Sequence, residues 1–101
     1  MTEPLVLRDE AGTITVAAVA LDRLVVRAAE SVEGARVRRP KRSVDVAHHA
    51  GLASVSFELV IDQGVPVPEL AQAVQERVAS AVAATTGLEV DHVDLTVAEI
   101  A

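Results

Sequence analysis

From Val67 onward the apolar residues recur at steps of three and four. Leu70, Val74, Val78, Ala81, Val82 and Thr85 line one stripe of an α-helix, while Glu69, Gln72, Glu76 and Ser80 fall away from it. Pro68 suits the first turn, where its missing N–H is not needed, and Glu69 sets a negative charge at the positive end of the helix dipole. Gly87 is the expected left-handed stop. Beyond it the period falls to two: Val93, Leu95 and Val97 point one way and His92, Asp94 and Thr96 the other, the pattern of a half-buried strand.

The first half of the chain repeats this alternation of periods. Thr13 to Val16 reads as a short strand, followed by a helix near 17–33 with Leu21, Leu24, Val25, Ala28 and Val32 at helical spacing and Gly34 as its stop. Val44 and Val46 alternate within Ser43 to His49, and Val55, Phe57, Leu59 and Ile61 alternate on the next strand, with Ala50-Gly51 as the hairpin turn between them. Residues 1–11 show no sustained period and are expected to be an N-terminal tail; Leu5, Val6 and Leu7 make an edge strand only if another segment pairs with them.

The resulting order, β-α-β-β-α-β over residues 12–101, predicts a single α+β domain. Its expected form is a two-layer sandwich with both helices on one face of a four-strand sheet, ferredoxin-like in outline, and the other sheet face open. No internal repeat suggests a solenoid.

Composition narrows the function classes. Half of the 101 residues are apolar, but Ala and Val supply 37 of them, with one Phe and no Trp or Tyr, so the core is built from small side chains. The absence of cysteine excludes disulfides, thiolate nucleophiles and thiolate metal sites. No apolar run approaches the roughly 18–20 residues that span a bilayer. The N-terminus MTEPLVLRDE carries acids where a secretory signal needs positive charge, so no intrinsic membrane insertion is expected.

The net charge of −6 hides an asymmetry. Arg36, Arg38, Arg39, Lys41 and Arg42 lie within seven positions, and setting aside those five charges leaves −11 on the rest of the chain. This basic segment is a candidate contact for an acidic partner or an anionic surface, against the plainer reading of a solvated loop offsetting an acidic body. Binding of nucleic acid through residues 36–42 is the alternative function, but without Tyr or Trp there is no stacking platform for single strands.

Two further groups of residues stand out. Asp45, His49, Glu58, His92 and Asp94 share the open sheet face if the alternation holds, and imidazoles with carboxylates are the donors that bind zinc or move protons. His48 and His49, adjacent on a strand, point to opposite faces, and the three histidines lack a metal-ligand spacing, so an ordinary polar surface is expected, with no metal, cofactor or catalytic residue. Residues 78–86, VASAVAATT, carry no charge, and Ala79, Ser80 and Ala83 offer a smooth surface for self-association, beside the plainer reading of helix propensity.

With these elements placed, VQERVASAVAATTGLEVDHVDLTV (74–97) resembles the alkaline shock protein or Gls-type envelope stress response family of bacteria: a helix with a Val-Gln pair, a Thr-Gly-Leu stop and a Val-x-x-Val-x-Leu-x-Val strand. A weaker likeness covers residues 12–37, and the last strand closes with Ala98-Glu99-Ile100-Ala101 where the family has a Gly-Val ending. The resemblance implies a non-enzymatic, cytoplasmic protein of envelope homeostasis, peripheral to the inner face of the membrane. It implies assembly with itself or with related subunits, and recruitment by a membrane-anchored partner. It carries over no catalytic residue. The expected function is therefore a non-catalytic interaction or scaffold protein.

Overall fold

The computed structural model describes residues 1–38 and 44–101. Its order is β1 (Leu5–Asp9), β2 (Gly12–Val16), α1 (Ala18–Glu30), β3 (Ala35–Val37), β4 (Asp45–His49), β5 (Leu52–Ile61), α2 (Val67–Thr86) and β6 (Glu89–Ile100).

β5 organises the main sheet. β6 runs parallel to it along its whole length, from Leu52 opposite Glu89 to Ile61 opposite Ile100. A strand has two edges, so β3 and β4, both antiparallel to β5, share the other edge end to end. Val37 faces Leu59 and Asp45 faces Ser56, which sets eight steps of chain on that edge against three on β5.

Alternation along β5 sorts its side chains cleanly. Ala53, Val55, Phe57, Leu59 and Ile61 are buried, while Ser54, Ser56, Glu58 and Val60 occupy the other face. Both helices pack on the buried face, against each other and into one core: Leu21, Val25 and Ala29 from α1, and Leu70, Val74, Val78 and Val82 from α2. The α+β class and the helix-covered sheet are as expected.

The membership of the sheet is not. Thr13 to Val16, expected as a strand of the main sheet, lies in β2 and pairs instead with β1 as a separate two-stranded ribbon, and β3 takes a place in the sheet. Residues 5–9, expected as part of a tail, are a strand because β2 supplies the ladder that Leu5-Val6-Leu7 needs. Residues 1–4 are also tied down, along the outer edge of β4. Glu3 N–H donates to the Val46 carbonyl at 3.0 Å, and the Thr2 hydroxyl accepts the Val46 N–H at 3.2 Å and bonds the Asp22 carboxylate.

Neither helix has a side-chain N-cap; α1 closes with the Ser31 hydroxyl donating to the Ala28 carbonyl at 2.6 Å, and α2 closes on a glycine. Gly87 has φ 74° and donates to the Ala83 carbonyl, 2.9 Å, as a left-handed stop. The buried stripe of α2 continues to Thr86, not Thr85; four residues beyond Val82, Thr86 stays in phase and satisfies its hydroxyl on the Val82 carbonyl at 2.6 Å. Helix α1 stops at Glu30, three residues short of the expected end, and the chain turns through Gly34 (φ 91°) into β3.

Candidate interaction surfaces

Among the described residues the fold leaves four surfaces to consider. The first is the open sheet face. Strand register places Asp45, Glu58, His92 and Asp94 on it, with His49 at its end opposite Leu52, as expected. The His92 ring lies between carboxylates, Nδ1 3.0 Å from Asp91 and Nε2 3.5 Å from Asp94. His48, on the opposite parity, meets the Pro4 carbonyl at 3.0 Å. Among the described residues no group of three or more His, Asp or Glu is arranged to hold a metal ion.

The basic segment borders this face. Arg36 and Arg38 alternate outward from the buried Ala35 and Val37, and each reaches a carboxylate: Arg36 to Asp62 at 3.5 Å and Arg38 to Glu58 at 3.2 Å. All four side chains are substantially exposed, so these pairs contribute little to stability. Arg39, Lys41 and Arg42 lie outside the described residues. Between α1 and this edge runs a groove of about 630 Å³, with Val26, Val37 and Val44 among its apolar residues and Arg23, Arg27, Asp22 and Glu30 among its charged ones.

The third surface is the β1–β2 ribbon, which sequence reasoning did not find. Leu5 pairs with Val16 and Leu7 with Ile14, so these four side chains form one face. Leu5 is rooted in the core at 3% exposure, but Leu7 is 39% exposed and Ile14 60%. An apolar row thus begins inside the molecule and runs out of it. The signal was Leu5-Val6-Leu7, unreadable alone because a ribbon of two strands has no period until its partner is known.

The fourth is the flank of α2. Ala79 and Ala83 are half-buried and Ser80 is exposed; at helical spacing the three adjoin on one flank of α2. Ala79 and Ala83 follow Gln75 at steps of four, and Gln75 reaches the last strand, its Nε2 donating to the Val93 carbonyl at 2.9 Å. The small residues therefore lie on the β6 side of the helix. Residue Arg77, on the opposite flank, donates to the hydroxyl of Ser31, the residue that follows α1, at 3.1 Å.

Comparison with curated proteins and with solved structures gives no match. A family model does match, over residues 35–101, which takes in β3 to β6 and α2. It covers the Thr-Gly-Leu stop and the strand after it. No helix among the described residues is long and apolar enough to cross a membrane. The chain belongs to the alkaline shock protein 23 family, whose function is related to the cell envelope.

Proposed function

We propose that this protein is a non-catalytic interaction subunit of envelope homeostasis, cytoplasmic, held near the inner face of the membrane by an anchored partner and assembling with itself or with related chains. The observation that carries this reading is the family match over residues 35–101. The apolar row of Leu7 and Ile14 supports it, because contact with a partner takes such side chains out of water. The basic segment adds a weak attraction to anionic lipid, about 1 kcal/mol per cation near the surface and screened within roughly 8 Å at physiological salt.

Fractionation of the native host tests the reading. The chain is expected to sediment with membranes in cells, whereas the purified protein floats with anionic liposomes at low salt only. Replacing Arg36, Arg38, Arg39, Lys41 and Arg42 with Gln abolishes the liposome signal but leaves the cellular one. A chain found wholly in the soluble fraction, whose deletion leaves resistance to envelope stress unchanged, overturns the proposal.

A further inference from the structure

The two edges of the main sheet are finished differently. Residues 1–4 cover the outer edge of β4, whereas β6 has no strand beyond it among the described residues. Glu58 accepts the Arg38 N–H on the β3 side, so in the parallel ladder its partner Thr96, like Asp94 and His92, faces β5. The Val93 carbonyl, met by Gln75, faces away from it. Alternate residues of a strand turn their backbone groups the same way, so the N–H and C=O of Leu95 and Val97 also face outward, and those of His92, Asp94 and Thr96 face β5. Register shifts that skip Asp91 and Ala98 interrupt the ladder on either side of this stretch.

We propose that two copies of this chain pair antiparallel along β6, on a dyad at Leu95, so that Leu95 faces its counterpart and Val93 faces the partner's Val97. The inference rests on the self-assembly put forward above and names its surface. In this register every facing pair at 93, 95 and 97 has outward backbone groups on both sides, as an antiparallel ladder requires. Gln75 does not block it, since the Val93 oxygen has a second lone pair.

The side chains agree with that register. Val93, Leu95 and Val97 form one apolar row, of which α2 buries Val93 and leaves Leu95 and Val97 half-covered; the dyad sets this row against itself. On the open face Asp94 lies opposite Thr96 and His92 opposite Ala98, while the one like-charged pair of this register, Asp91 against Glu99, falls at the interruptions, outside the stretch from His92 to Val97. A dyad at Val93 or at Val97 instead brings the interruption at Asp91 or Ala98 into the centre of the ladder. A longer foreign strand meets both interruptions, whereas a second copy needs only the stretch between them. Above the joined sheet, Ala79 and Ala83 are small enough for the partner's α2 to approach.

Leu95→Pro tests this, because it removes an N–H that points outward and leaves the Asp94 and Thr96 bonds to β5 intact. Light scattering over a concentration series is expected to show a wild-type dimer and a folded, monomeric Leu95→Pro. Amide exchange read by NMR on the wild type gives a second measurement that needs no variant to fold. The Leu95 and Val97 amides slow as concentration rises, while the Arg8 amide on the ribbon does not. A wild type that stays monomeric at high micromolar concentration overturns both self-assembly and this interface. A dimer that persists in Leu95→Pro, or Leu95 and Val97 exchange that ignores concentration, overturns the interface alone and leaves self-assembly standing.

Discussion

The described residues contain two antiparallel hairpins of five facing pairs each, β1–β2 and β4–β5, built on opposite terms. The first has the better turn. Asp9 accepts the N–H groups of Ala11 at 2.8 Å and Gly12 at 3.1 Å, an Asx turn closed by a glycine. The second turns through Ala50 at φ 52°, a left-handed conformation that costs an L-residue without a polar side chain about 1–2 kcal/mol. Yet the second lies at the centre of the fold and the first carries its apolar row into solvent. Turn chemistry sets the register of a hairpin, and what covers its face determines how firmly the hairpin is held.

The most severe test of this contrast is Phe57→Ala. The ring is buried on the helix-covered face of β5, and its removal is expected to cost about 3–5 kcal/mol in urea unfolding. A loss under about 1 kcal/mol means that the helices do not hold this hairpin as described. A sharper test stays within one face of the first hairpin. Leu5→Ala is expected to cost roughly 2–3 kcal/mol, and Ile14→Ala less than about 0.5 kcal/mol in dilute protein, since only Leu5 is rooted in the core. Equal losses show that something covers Ile14. The smallest effect has the opposite sign: Ala50→Asn relieves the left-handed turn and is expected to stabilise by roughly 0.5–1 kcal/mol, with Gly51 retained beside it. Unchanged stability places the strain of that turn elsewhere.

How much of this was legible in the sequence follows from the same contrast. Elements covered on one face declare themselves, because burial imposes a period: the β5 alternation, the α2 stripe and the Gly87 stop were all readable. β3 was not, since Arg36 and Arg38 alternate with Ala35 and Val37 inside a run that reads first as charge. β1 was not, since its order comes from its partner. Ala79, Ser80 and Ala83 read as one smooth patch, and the fold half-buries Ala79 and Ala83 while leaving Ser80 exposed. The free edge of β6 lay beyond any such reading, because alternation reports the faces of a strand and is silent about its edges.

The mismatch between the two sides of β5 makes the connection between β3 and β4 a natural point of insertion. Each of those strands is pinned by its own pairing with β5, Val37 to Leu59 and Asp45 to Ser56, so chain added between them shifts neither register. A peptide tag or a fluorescent domain spliced between Arg38 and Val44 would therefore report on the protein in living cells while its core, its ribbon and its last strand keep their places.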